Sequence, residues 1–181
     1  LLDNTNITAL FATAHTATAA AATVDAGGAG TTGTGSTGGD ALDFTGSNAN
    51  STITLSAALA GQKGQNLANA SDDAGDTGGT GGIGLDLNAT VDNGSNRATL
   101  TLVDNADVTG GAGGNADHAS ATGGTGGVGI DAVEIDELNI VLSATDTTAD
   151  VVTIAGGAAG LATNGNAIGT AGAAGGDISV A

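Results

Sequence analysis

The sequence predicts an all-β protein, a parallel β-helix (β-solenoid) of about four coils of 40–50 residues with long glycine-rich loops. Three observations lead there. A glycine-rich stretch running into a short apolar-Asp strand recurs as GGDALDF (38–44), GGIGLDL (81–87) and GGVGIDA (126–132), and again in GGDISVA (175–181), at spacings of 43, 45 and 49 residues. A period of that size marks a stacked-repeat architecture. Apolar and polar residues alternate in Thr52-Ile53-Thr54-Leu55 and Thr99-Leu100-Thr101-Leu102, the period of two of a half-buried strand. Glycine fills 34 of 181 positions, too many for a helical fold.

Each repeat offers three short strands. The first is the Leu-Asp segment, and Leu2-Asp3 matches Leu42-Asp43 at the N-terminal side. The second is an alternating apolar pair: Ile53/Leu55, Leu100/Leu102, Ile140/Leu142, with Ile7 in the place of Ile53. The third precedes a glycine stretch: Val24, Val108 and Ile154, with Leu67 as the weaker member in the repeat that lacks a clear one. β-branched Thr, Val and Ile suit these pleated segments. The segment open to a helical reading is 5–23, where Ala is frequent, yet interspersed Thr leaves no apolar stripe. The expected organisation is one domain, 1–181, with repeats at 1–37, 38–80, 81–125 and 126–174 and a last partial coil at 175–181. The glycine loops are expected to pack as extended, polyproline II-like strands, which need no side-chain room and leave backbone groups free to pair.

Composition narrows the function. Pro, Cys, Met, Trp and Tyr are absent and Phe occurs twice. Leu, Ile, Val and Phe make up roughly a fifth of the chain, a level at which a globular core is hard to build. Stacked coils need less, because each thin rung packs on the next and backbone ladders run the full length. Without cysteine there are no disulfides and no thiolate metal sites. No run approaches the ~20 apolar residues of a membrane helix, so membrane insertion is not expected. The first residue is Leu, as in a processed mature protein or a piece of a longer one.

Net charge is -17, and 17 of the 19 acidic residues are Asp. Only Lys63 and Arg97 oppose them, which excludes nucleic acid as a partner, since phosphate recognition needs a cationic face. Most Asp residues fit turns, where the short side chain bonds nearby backbone. Asp43, Asp86 and Asp131, with Asp3, hold one position in successive repeats. In-register stacking would line these carboxylates up about 4.8 Å apart, and like charges across a ladder repel. The column would then recruit a divalent cation, spread its side chains into water or sit at a contact, and calcium suits an all-oxygen ligand set. The trio Asp72, Asp73 and Asp76 is a second candidate metal site. No cofactor is required, and calcium is the one ion the pattern invites.

The segments GTGSTG (33–38), GTGGIG (79–84) and GTGGVG (124–129) match the dinucleotide fingerprint GxGxxG. That fingerprint carries meaning only between a strand and a helix, and here it leads into strands. GGVGIDAVE (126–134) fits the calcium-binding nonapeptide of repeats-in-toxin proteins, but those copies must follow in tandem and these do not. His15 and His118 sit in unrelated contexts with no nucleophile-base set, so no enzymatic activity is expected. Five N-x-S/T sequons, at Asn6, Asn50, Asn69, Asn88 and Asn93, permit glycosylation. Thr52/Thr54 and Thr99/Thr101 form a Thr-x-Thr array that suggests ice binding, but Asn139 and Val141 interrupt it in the third repeat.

The stretch TGGAGGNADHASATGGTGGVGID (109–131), flanked by short Val/Ile/Leu strands, resembles the glycine-rich β-helix passenger repeats of bacterial autotransporter adhesins, as does TIAGGAAGLATNGNAIGTAGAAGGDISV (153–180). The resemblance implies an extracellular or cell-surface, bacterial protein with a structural or adhesive role, a surface glycan or host surface as its target, and no catalytic residues. No capping segment is read at either end, neither a charged amphipathic helix at Leu1 nor one after the strand-like 177–181. The expected partner is therefore a second copy, in a head-to-tail homopolymer, with a larger surface adhesin or an ice-binding solenoid as the alternatives.

Overall fold

The computed structural model describes residues 6–7, 15–16, 34–46, 51–67, 76–89, 94–104, 106–116, 120–143, 151–164, 167–168 and 171–180. Every regular element among them is a strand. In chain order these are β1 (Asn6–Ile7), β2 (His15–Thr16), β3 (Leu42–Gly46), β4 (Ser51–Leu55), β5 (Leu59–Ala60), β6 (Leu85–Ala89), β7 (Arg97–Val103), β8 (Val108–Thr109), β9 (Ile130–Val133), β10 (Glu137–Ser143), β11 (Ile154–Ala155), β12 (Thr163–Asn164), β13 (Ala167–Ile168) and β14 (Ile178–Val180). Three four-stranded parallel sheets result, ordered β1-β4-β7-β10, β2-β5-β8-β11 and β3-β6-β9-β14, while β12 and β13 pair antiparallel. Neighbours within each parallel sheet come from successive repeats, so the protein is all-β with repeat stacked upon repeat.

The pairing register places equivalent aliphatic residues opposite one another. Leu42, Leu85, Ile130 and Ile178 form one column. Ile53, Leu100 and Ile140 form another, with Leu55, Leu102 and Leu142 beside it. Leu59, Val108 and Ile154 form the column of the third sheet. In the middle repeats these side chains are fully buried in one cluster. A one-residue slip would turn every one of them outward, so burial itself fixes the register. The turn into β7 is held by buried Asn96, whose Nδ2 donates to the Glu134 carbonyl at 2.8 Å and whose N–H donates to Asp136 Oδ2 at 2.7 Å. Arg97 and Glu137, opposite each other in the β7–β10 register, pair at 3.3 Å in exposed positions, worth under about 1 kcal/mol.

Ile7 stands opposite Ile53, as the repeat reading expects. The third strand of the 38–80 repeat is Leu59–Ala60, however, and not the segment around Leu67. Its partners are His15–Thr16 and Val108–Thr109. The backbone explains this: Gly61, Gly64 and Leu67 donate to Thr109, Ala112 and Asn115, which locks Leu59 opposite Val108 and leaves Leu67 opposite Ala116. Leu2, Asp3 and Val24 lie outside the described residues, as does most of 5–23, within which Asn6–Ile7 and His15–Thr16 are strands.

Each glycine loop resolves into two legs. The inward legs, 61–67, 110–116 and 156–162, hydrogen-bond to one another in parallel, and so do the outward legs, 34–41, 77–84, 122–129 and 171–176. The two sets also bond across, antiparallel: Gln62 and Gln65 donate to Gly39 and Ser36, Gly111 and Gly114 to Gly82 and Gly79, and Gly157 and Gly160 to Gly127 and Gly124. Donors recur at every third residue, the period of a polyproline II helix, and Gly94 is the glycine with positive φ among the described residues. Such a helix has no internal hydrogen bonds, so its backbone must find partners in adjacent legs. Close approach follows, and it requires glycine. A Cβ at Gly81 would strike the Gly111 carbonyl, and one at Gly111 the Gln62 carbonyl.

Gly81→Ala or Gly111→Ala should therefore lower the free energy of unfolding by about 3 kcal/mol, since backbone cannot move aside as a side chain can. Thr80→Ala, at an exposed position of the same leg, should change it by less than about 0.5 kcal/mol. Denaturant unfolding followed by circular dichroism measures both.

Candidate functional site

The stacking brings Asp43, Asp86 and Asp131 directly opposite one another on β3, β6 and β9. Their neighbours in sequence are the buried column residues, so the carboxylates emerge on the opposite face of the same sheet, as period-two alternation demands. Asp43 is exposed and the other two are half-buried. Asp86, in the middle, carries the electrostatic load. Burial first, and then the charges of Asp43, Asp40 and Asp131, push its pKa up to about 6, while a hydrogen bond from the Asn88 side chain acts against the rise. Asp86 Oδ1 is covered and has no hydrogen-bond partner among the described residues. A proton on Asp86 relieves both problems, because it removes one of the stacked charges and gives the site a donor.

Among the described residues, no group of three or more His, Cys, Asp or Glu side chains is arranged to hold a metal ion. A ladder spaces its side chains along a line, whereas calcium needs six to eight oxygens converging on a point. In the second candidate set, Asp72 and Asp73 lie outside the described residues. Asp76 is 3% exposed, and its backbone carbonyl accepts the Thr122 N–H at 2.7 Å. Of the histidines, His15 falls in β2 and His118 outside the described residues.

Other acidic and amide side chains serve the stack directly. Asp40 Oδ1 accepts the Ile83 N–H at 2.7 Å, Asp107 Oδ1 the Thr153 N–H at 2.6 Å, Asn66 Oδ1 the Asn115 N–H at 2.8 Å and Asn115 Oδ1 the Leu161 N–H at 3.0 Å. Each bond spans a whole repeat. The turn chemistry read from the sequence is thus replaced, at these positions, by bonding to the next layer. Short side chains reach N–H groups that the backbone ladders leave open.

Two threonine sets also line up. Thr52, Thr99 and Asn139 share one register position, and Thr54, Thr101 and Val141 another, so this array is broken in the third repeat as its sequence implied. A second set stands at 34, 37, 77, 80, 122 and 125, of which only Thr34, Thr37, Thr80 and Thr125 fall within the GxGxxG matches. Period three in the outward legs puts it on one face. Comparison with known proteins finds no matching family model, no matching curated protein and no matching solved structure. No helix among the described residues is long and apolar enough to cross a membrane.

The Asp86 shift has a definite consequence for stability. Its folded pKa, about 6, lies above the ~3.9 of an unfolded Asp, so the native state binds the proton more tightly. This contribution is complete below about pH 4 and is lost as pH rises through 6. Asp86→Asn should flatten stability between pH 4 and 6 and, at pH 8, should stabilise the fold by about 1 kcal/mol once solvent screening is allowed for. Thermal unfolding across that pH range tests it.

Proposed function

We propose that the chain is a parallel β-solenoid of about four coils, acting as an extracellular structural subunit that assembles head to tail into a filament or surface fibre. One observation carries the reading. Aliphatic columns that are sealed inside the stack are open at its last layer. Leu102 and Ile130 are 0% exposed, whereas their column partners Leu142 and Ile178 are 66% and 45% exposed, and Val151, three residues before β11, is 75% exposed. Large apolar residues left this open point to an interaction surface, and the natural cover for a column end is another layer of the same kind.

The three sheets support a copy of this chain in that role. All run in the same order through the stack, so β10, β11 and β14 are end strands on one side and β1, β2 and β3 on the other. Parallel addition of β1 to β10, β2 to β11 and β3 to β14 would continue every ladder at once. Contact between different faces is heterologous and yields an open fibre when the rotation does not close. No catalytic group takes part. The extracellular placement, and the surface glycan or host surface as target, rest on the resemblance to autotransporter passengers. The second reading, a segment of a larger adhesin, has the chain's own further coils cover the same face.

Copies that each carry a charge of -17 repel at low ionic strength, and salt screens this. Sedimentation and electron microscopy should show fibres that lengthen as salt rises from about 10 mM to about 150 mM, the range over which the Debye length falls from ~30 Å to ~8 Å. Leu142→Asp should keep the chain monomeric at either salt. Persistence of monomers in the wild type, or a natural protein far heavier than 16.6 kDa, would sink the filament subunit.

A further inference from the structure

Residues 77–82 and 122–127 both read TGGTGG, and 34–39 reads TGSTGG. The glycines follow from packing, because a Cβ at Gly78, Gly79, Gly81 or Gly82 would strike backbone of an adjacent leg. The threonines do not. They hold the third position of the three-residue turn, the one that faces away from the inward legs and tolerates any side chain. The equivalent outward positions of the inward legs show that tolerance: Ala60, Lys63 and Asn66 become Thr109, Ala112 and Asn115, then Ala155, Ala158 and Leu161. Six threonines are kept through three successive layers, until Ala173 takes the place of Thr125 in the last, and packing alone does not ask for them.

Their geometry is a lattice. Thr34, Thr77 and Thr122 are bridged in one column. The bonds Gly38 N–H to Thr80 O and Gly81 N–H to Thr125 O repeat the same offset three residues on, which puts Thr37, Thr80 and Thr125 in a second column. The columns stand about 9 Å apart, three residues of polyproline II, and successive threonines within a column about 4.8 Å apart. Thr34, Thr37, Thr80 and Thr125 are exposed, and Thr77 and Thr122 are half-buried. The six positions carry no charge, in a chain whose net charge is -17. Each threonine presents a hydroxyl and a methyl from a side chain with few rotamers, on backbone tied to its neighbours on two sides. Little freedom remains to be lost on binding.

A surface of this kind fits a ligand that is itself uncharged, periodic and made of hydrogen-bonding groups. Small solutes cannot span it. Crystalline polysaccharide is held mainly by large rigid rings, and this chain has no Trp or Tyr and two Phe. The geometry points to ice. The threonine face of the outward legs is an ice-binding surface, on which the methyls order water between the hydroxyl rows and the ordered water joins the crystal through bridging hydrogen bonds. This reading is independent of filament assembly and uses a different face from the interrupted array of Thr52 and Thr99.

Thermal hysteresis and inhibition of ice recrystallisation by the full chain test it. The wild type should show both. The double variant Thr80→Lys with Thr125→Lys, placed at the centre of the lattice, should lose about tenfold or more of the activity, as removing central contacts does at other interfaces. Thr52→Lys, exposed on another sheet, should keep it. If the lysine pair does not fold, Thr80→Ser with Thr125→Ser removes only methyls and should still cut activity severalfold. A folded wild type without hysteresis overturns the proposal, as does equal loss in Thr52→Lys or no loss in either double variant. Binding to crystalline cellulose or chitin that the double variants abolish, without ice activity, overturns it in favour of polysaccharide. Leu142→Asp, which blocks stacking, should leave ice activity per chain in place, so the two readings fail separately.

Discussion

Half of each repeat offers almost nothing to bury. The glycine legs have few side chains, and in isolation their extended backbone would be fully hydrated. Their order comes from N–H groups that meet carbonyls of adjacent legs at every third residue, in two directions at once. That network sets how far apart successive repeats stand and how they are offset. Strand register, aliphatic columns and surface rows are all fixed by the same spacing. Glycine loses more backbone freedom on folding than any other residue, and the compensation is contact between backbones that no other residue permits.

In-register stacking puts like on like, and the result depends on chemistry. For Leu85, Leu100, Leu102 and Ile130 it produces dry columns with no exposed area. For Asp43, Asp86 and Asp131 it concentrates charge, so that the middle carboxyl is displaced toward its protonated form. For the amides and Asp40 it creates bonds, because a short side chain sits within reach of the next repeat's N–H. A sequence of this kind tolerates an acidic column because much of the stack's cohesion lies in backbone, which does not titrate.

The same geometry explains why the surface is not uniform. Side chains leave the glycine legs chiefly at one position in three, and three of the outward legs keep threonine there, while the last carries Ala173 opposite Thr125. The last layer, by contrast, shows what the column residues look like without a cover, with Leu142 two-thirds exposed. The threonine face is a finished surface, and the end of the stack is an interface.

The repeat period, the strand alternation and the placing of Leu42, Leu85 and Ile130 in one column were legible in the sequence, because one residue in each repeat must do the same packing job as its equivalent. The alignment of Asp43, Asp86 and Asp131 followed from the same logic. Other features needed the fold. Leu59 and not Leu67 supplies the third strand, since hydrogen bonds of nearly featureless glycine legs decide that offset and glycine carries no pattern to read. That burial and its neighbours' charges raise the Asp86 carboxyl above its usual range was not legible, because a letter carries no burial. The threonines of the TGGTGG segments had no role in the sequence reading until three-residue periodicity placed them on one face. Sequence alone determined which residues recur, since recurrence is written in letters. Tertiary structure decided which of them meet, because backbone hydrogen bonds between legs act without regard to side chains.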